Sequence, residues 1–222
     1  MLRSWRAGVA VLGAALSLGA AQAGAAEAIS AAETLLFQTD HLRQLRTPAR
    51  LSYVYKKAGT AEPGFEDHVY LDVAAVKPDG SAQLTMDFLS GSRKRPTPDA
   101  DNPRGNPVLL GFLERDIAEM KRLAGGAPSY FRKRIRLALA ERAQVRSIGF
   151  TYGGKAFTGQ EVSIEPYRDD PLHARFEKYV GKRYVFVLSE QVPGRVYQLR
   201  TTLEPAVMEE TLTLVKDEGR TR

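Results

Sequence analysis

The sequence predicts an α+β fold in which about eight to ten antiparallel strands form a sheet, with a leading helix and a helical hairpin inserted between two groups of strands. In both groups, apolar and polar residues alternate over short segments, which is typical of strands with one buried face. Between the groups, apolar residues recur at helical spacing instead. The chain shows no internal repeat, so we expect a single domain over residues 24–222.

Residues 1–23 have the pattern of a secretory signal peptide. Arg3 and Arg6 precede an apolar run over residues 7–20, and Ala21 and Ala23 follow at the spacing that signal peptidase needs. This run is shorter than the roughly 18 residues that span a bilayer, although a retained membrane anchor is the alternative. We therefore expect cleavage after Ala23 and a periplasmic protein with no membrane span in the mature chain.

The composition of the chain excludes several kinds of chemistry. The 222 residues include no Cys, which excludes disulfides, thiol nucleophiles and thiolate metal sites. It also excludes a lipid attached to an N-terminal Cys, so we expect that the protein is not a lipoprotein. The formal net charge of +6 suits anionic lipid headgroups. Because export takes the chain away from nucleic acid, we expect no nucleic-acid partner.

A leading helix is predicted to begin at Ser30. Ser30 and Glu33 have the spacing of a capping box, in which each side chain accepts a hydrogen bond from the backbone N–H of the other residue. Apolar residues between positions 35 and 45 supply one buried side, and Pro48 ends the helix after about four turns. His41 has charged neighbours, so we expect it at the surface.

Alternating side chains predict strands on both sides of the hairpin. The alternating segments are Leu51–Tyr55, Val69–Val73 and Leu84–Phe88 before it, and Ile148–Tyr152, Val162–Ile164, Tyr184–Ser189, Arg195–Leu203 and Thr211–Val215 after it. Three pairs of these segments are joined by Gly-containing turns at residues 78–80, 153–154 and 193–194.

A polar loop and a helical hairpin separate the two groups of strands. Residues 92–106 have no apolar period, which predicts a mobile loop that is either a ligand contact or a plain surface connection. Residues 107–142 are predicted to form the hairpin. Asn106 and Pro107 begin its first helix, and Gly125 and Gly126 separate it from the second.

Asp116 lies near the centre of the apolar stripe of the first hairpin helix. A carboxylate in that position has to be paired, protonated or placed at a cavity. Arg132, Arg134 and Arg136 on the second helix are the nearest candidates for a partner. A structural ion pair is favoured over a catalytic acid, because buried paired carboxylates more often serve structure.

No catalytic pattern is evident, and we expect no enzymatic activity, no cofactor and no metal. The chain has neither a Gly-x-Ser-x-Gly elbow nor a phosphate-binding loop. The segments Glu66–His68 and Asp169–His173 carry carboxylates beside a histidine, but their spacing does not aim the ligands at one point. Solvated turns are therefore favoured, while an enzyme that uses Asp116 or these two segments remains the third possibility.

Aromatic residues concentrate in the predicted strands. Such rings line pockets for lipid-like ligands, and they also fill ordinary sheets. The side chains predicted to contact a hydrophobic ligand are Tyr53, Tyr55, Tyr70, Phe88, Phe112, Asp116, Met120, Phe131, Arg132, Phe186 and Tyr197. The cationic stretch Arg93, Lys94 and Arg95 in the loop is predicted to contact the ligand's headgroup.

The order of elements, from a capped helix through strands, a loop and a helical hairpin to further strands, resembles that of the bacterial lipoprotein-carrier superfamily. The resemblance covers most of the mature chain and implies a curved, half-barrel-like sheet whose concave side is plugged by helices that move aside for acyl chains. No functional residue can be carried over from it. We therefore expect an envelope protein that binds a lipid or acyl chain; the alternative is an assembly or scaffolding accessory that binds another envelope protein.

Overall fold

The computed structural model describes residues 28–94, 103–175, 177–203 and 207–216. The predicted signal peptide, Arg95 and most of the predicted mobile loop lie outside these ranges.

Eight antiparallel strands form one curved sheet that does not close on itself. The strands are β1 (Ala49–Ala58), β2 (Phe65–Val76), β3 (Ala82–Phe88), β4 (Gln144–Tyr152), β5 (Lys155–Ile164), β6 (Arg183–Leu188), β7 (Val196–Leu203) and β8 (Met208–Val215). Their order across the sheet is β3-β2-β1-β8-β7-β6-β5-β4, so β1 and β8 join the two sequence groups. The predicted α+β fold class is confirmed.

Alternation decides which side chains of each strand enter the core. In β2, Val69, Leu71 and Val73 are buried, whereas Tyr70 and Asp72 alternate with them on the other face. The register of β1 on β2 places Tyr53 opposite Val69, so both side chains enter the same core. A two-residue period therefore gives the sheet one apolar face and one polar face.

The leading helix begins as predicted but is much shorter. The helix α1 (Ala31–Glu33) has the expected capping box, with Ser30 Oγ 3.1 Å from the Glu33 backbone N. A π-helical turn over Thr34–Gln38 follows, and Thr39 is already extended. The prediction of about four turns is wrong because the Thr34 and Thr39 hydroxyls donate to helix carbonyls and favour this wider, terminating turn.

The predicted helical hairpin is present as α2 (Val108–Ala124) and α3 (Pro128–Glu141). Asn106 Oδ1 accepts a hydrogen bond from the Val108 backbone N–H at 3.1 Å, which caps the start of α2. Gly125 and Gly126 have φ of 69° and 92°, a conformation that glycine adopts without strain, and they end α2. Both helices place their buried residues against the apolar face of the sheet.

The described chain also contains three short 3-10 helices of one turn each, at Gly91–Arg93, His173–Arg175 and Glu177–Tyr179. Within the ranges given above, no helix combines the length and the apolar character needed to cross a membrane.

Candidate functional site

Most of the predicted ligand-contacting side chains meet between the hairpin and the sheet. The fully buried apolar and aromatic members of this group are Tyr53, Tyr55, Phe88, Phe112, Met120, Phe131 and Phe186. They pack on one another in this conformation, and none of them lines the three clefts that are described below. The interface of the hairpin with the sheet, from here on the hairpin–sheet interface, therefore contains a cluster of the protein's own buried side chains.

Three of the predicted residues are not fully buried. Tyr70 lies on the outer face of the sheet, where its ring stacks on His68. Tyr197 stacks on Phe150 of β4, with ring centroids 4.2 Å apart. Arg132 is half exposed, and its guanidinium donates to Glu114 at 2.5 and 2.7 Å. Tyr70 and Arg132 therefore lie outside the hairpin–sheet interface, whereas Tyr197 is partly buried and packs against the core cluster.

Two of the three basic residues predicted to contact a headgroup, Arg93 and Lys94, are held in ion pairs. The Arg93 guanidinium lies 3.0 Å from Asp67 and 4.6 Å from the ring centroid of Phe65. Lys94 Nζ lies 2.8 Å from the exposed carboxylate of Asp87. Arg95 is outside the described residues.

Asp116 is the centre of a buried polar network at the hairpin–sheet interface. It is fully buried and accepts hydrogen bonds from Lys182 Nζ and, at 2.6 Å, from Tyr184 Oη. The Tyr184 hydroxyl also lies 3.0 Å from that of Tyr167. Burial, followed by the negative charge of Asp116, raises the pKa of Tyr184 well above its usual value, so Tyr184 remains a hydroxyl donor.

The ion pair of Asp116 was predicted, but the proposed partners were wrong. Lys182, itself 1% exposed, precedes β6 and takes the place of the three arginines of α3. Of those arginines, Arg132 pairs with Glu114 and Arg134 pairs with Asp170 at 2.7 Å. Spacing along one helix does not encode a partner that comes from a distant part of the chain, so sequence reasoning missed Lys182.

A second set of charges ties α2 to strands β1 and β8. Arg115 lies 2.8 Å from Glu210, and Lys57 lies 2.9 Å from Glu119. A hydrogen bond from Arg122, together with that from Lys57, lowers the pKa of Glu119 to about 2. Glu119 is therefore ionised under all physiological conditions, and α2 is held to the sheet by charges as well as by apolar packing.

A third polar contact set fixes the start of α2. The side chain of Asn106 donates to the Tyr53 hydroxyl and to the Gly194 carbonyl, each at 3.0 Å. The Asn106 backbone N–H donates to His41 Nδ1 at 3.1 Å, while His41 Nε2 donates to the Leu35 carbonyl at 2.8 Å. The sequence identified Asn106 only as a helix cap.

The expectation that His41 lies at the surface is wrong. Its side chain is 1% exposed, because the chain leaves the leading helix early and turns inward toward Asn106. Burial lowers the pKa of His41, which keeps the ring neutral and able to accept from Asn106 and donate to Leu35 at the same time.

The carboxylates and histidines of the segments Glu66–His68 and Asp169–His173 make structural contacts. Asp67 accepts from the backbone N–H groups of His68 and Ser90, and Asp170 pairs with Arg134. The His173 ring bonds to the Asp170 carbonyl. No group of three or more histidine and carboxylate side chains with the geometry of a metal site occurs in the described part of the chain.

A cleft opens beside the start of the hairpin. It has a volume of about 490 Å³ and lies between the segment Leu35–His41, residues 158–160 of β5, and the β6–β7 turn at Ser189–Arg195. We call it the turn cleft. A neighbouring cavity of about 360 Å³ shares its His41 and Arg195 walls. A third cleft, also of about 360 Å³, lies at the end of α3 beside Arg142 and Arg183.

Comparison with known proteins gives only a distant likeness. No protein-family model matches the chain, and no curated protein matches it. A solved structure, the lipoprotein LppX of Mycobacterium tuberculosis, aligns over 80% of this chain and 88% of its own, with 11% sequence identity and a TM-score of 0.34. A likeness of this size does not decide a function.

Proposed function

We propose that the protein is a non-enzymatic, exported binding protein of the cell envelope that holds a lipid or acyl chain on the sheet face covered by α2 and α3. The hairpin would serve as a displaceable cover, and the ligand would replace its apolar side chains against the sheet. The observation that carries this proposal is that ion pairs hold the hairpin in place. Asp116, Arg115 and Glu119 of α2 are each paired with a charged side chain outside the hairpin.

Charged contacts make the cover easier to displace than an apolar interface would be. When the hairpin leaves the sheet, the paired groups regain hydration, which offsets much of the lost attraction between them. The apolar sheet face around Tyr53, Tyr55 and Phe186 would then be exposed, and an acyl chain would cover it. The sheet ends at β3 and β4 without closing, so this face is accessible from its sides once the hairpin moves.

Photolabelling with a fatty acid that carries a photoreactive group tests the location of the ligand. We expect labelled Tyr53 or Phe186 peptides and faster amide hydrogen exchange in α2 and α3 when the fatty acid is bound. Tyr70 is the internal control, because it lies on the neighbouring strand but on the outer face. Labelling at Tyr70 with none at Tyr53 or Phe186, or an unchanged exchange rate of the hairpin, would contradict the proposal.

One observation favours a second candidate, an accessory that binds another envelope protein. Strand β4 pairs with β5 on one side and ends the order of described strands on the other. A free edge of this kind accepts an added strand from a partner. Purification from cross-linked cells separates the two candidates, because an accessory retains a protein partner whereas a carrier retains an extractable lipid.

A further inference from the structure

The turn cleft combines apolar surface with two charged side chains, the positive Arg195 and the negative Glu190. Leu35 and Leu188 provide apolar surface, and Leu188 belongs to the main core. Gly159 also lines the cleft, and a Cβ atom there would lie 2.4 Å from the Leu188 carbonyl oxygen, so the chain approaches Leu188 closely at this position. The apolar part of the cleft therefore borders the main core through Leu188.

Arg195 is the positively charged side chain of the turn cleft, and it is only weakly neutralised. Its side chain is 17% exposed, and its partner within the described residues is Glu190, 3.2 Å away and 79% exposed. An ion pair with so exposed a carboxylate is weak. The Arg195 Nε–H is buried and has no hydrogen-bond acceptor among the described residues. Arg46 lines the neighbouring cavity and adds a second positive charge, while the buried His41 stays neutral.

The backbone of Arg195 also has an unusual conformation. Arg195 has a φ of 57°, a left-handed conformation that is uncommon for residues other than glycine and that recurs at functional sites. Gly194 precedes it in the same turn, and the Gly194 carbonyl accepts from Asn106 at the start of α2. The cleft thus lies where the hairpin is attached to the rest of the fold.

We propose that the turn cleft binds the anionic headgroup, a carboxylate or phosphate, of the amphiphile whose acyl chain lies under the hairpin. Arg195 pairs with the anionic oxygens, and the Leu35 and Leu188 surface contacts the first part of the chain. This inference rests on the proposed function and narrows it from hydrophobic ligands in general to anionic amphiphiles.

Binding of palmitate and of its uncharged methyl ester, measured by displacement of a fluorescent acyl probe, tests the inference. We expect palmitate to bind about tenfold more tightly than the ester, as one charge-assisted hydrogen bond implies. Arg195→Gln should abolish this preference without changing the affinity for the ester. Glu190→Gln should increase the preference, because it removes the carboxylate that competes for Arg195.

The matched control is Arg43→Gln, which removes the same charge from a 68% exposed arginine of the N-terminal segment that does not line the cleft. It should leave the preference for palmitate unchanged. Arg195→Asn is the second variant if Arg195→Gln does not fold, since Asn accepts a left-handed backbone more readily. Thermal unfolding of each variant identifies any that is not folded.

The outcomes separate the two proposals. Equal binding of palmitate and ester, or a preference that survives in a folded Arg195 variant, overturns the headgroup site but leaves the acyl-binding function intact. Failure of both acyl compounds to bind overturns the proposed function and the inference with it. If inorganic phosphate alone binds in an Arg195-dependent manner while neither acyl compound does, the cleft is a site for a free anion and the inference is wrong.

Discussion

Replacement of Asp116 by Asn tests whether the buried network holds the hairpin to the sheet. The substitution keeps the shape of the side chain but removes its charge, so Lys182, which is 1% exposed, loses its counter-ion. Removing one partner of a buried ion pair costs about 3–5 kcal/mol. We therefore expect the free energy of unfolding to fall by about that amount.

Urea denaturation provides the measurement. For an m value of about 2 kcal/mol/M, the predicted loss lowers the midpoint by about 1.5–2.5 M while the slope stays unchanged. The matched control is Glu114→Gln, which breaks the exposed pair with Arg132 on the same hairpin and should cost less than about 1 kcal/mol. In the Asp116→Asn background, Lys182→Met should recover part of the loss, because it removes the uncompensated charge.

A stability loss for Asp116→Asn no larger than that of Glu114→Gln would refute this reasoning. It would also reopen the question of why a carboxylate occupies the apolar side of α2, and a catalytic or ligand-binding role for Asp116 would then be favoured over a structural one.

Three further predictions concern separate parts of the molecule. Because the pKa of His41 is lowered in the folded state, the unfolded chain binds the proton first as the pH falls below about 6.5, and the free energy of unfolding should decrease there. Urea unfolding at several pH values should show a smaller decrease for the His41→Gln variant than for the unmodified protein. Gly111→Ala should lower the melting temperature, although Ala favours helices, because the new Cβ atom would lie 2.8 Å from the buried Phe88 ring. An unchanged or higher melting temperature would contradict tight packing at this position. N-terminal sequencing of the protein from its own host should begin at Gly24, whereas an intact N-terminus would exclude the cleaved signal peptide.

The strands and the hairpin were predictable because each depends on a local pattern. Val69 and Leu71 alternate with polar residues whatever their partners are, and Asn106 and Gly125 are chemically suited to the two ends of α2. Local patterns also placed Asp116 among buried residues. They gave the correct element and face without any knowledge of tertiary contacts.

Contacts between distant residues were not predictable in the same way. Lys182 reaches Asp116 only because β6 lies under α2, and His41 is buried only because the leading helix ends early. Likewise, Arg195 became a candidate through the cleft that its turn forms with the N-terminal segment. Each of these depends on the packing of separate elements, which spacing along the chain does not specify.

The pairing of β1 with β8 has a consequence for how the protein reaches its folded state. These two strands lie at the centre of the sheet but come from its first and last strand segments. Pairing across so long a separation in the chain is slow, because bringing the two ends of the intervening chain together costs conformational entropy before the contact forms. We expect the two groups of strands to join into one sheet only after β8 has been made, so that completion of the fold waits for nearly the whole chain.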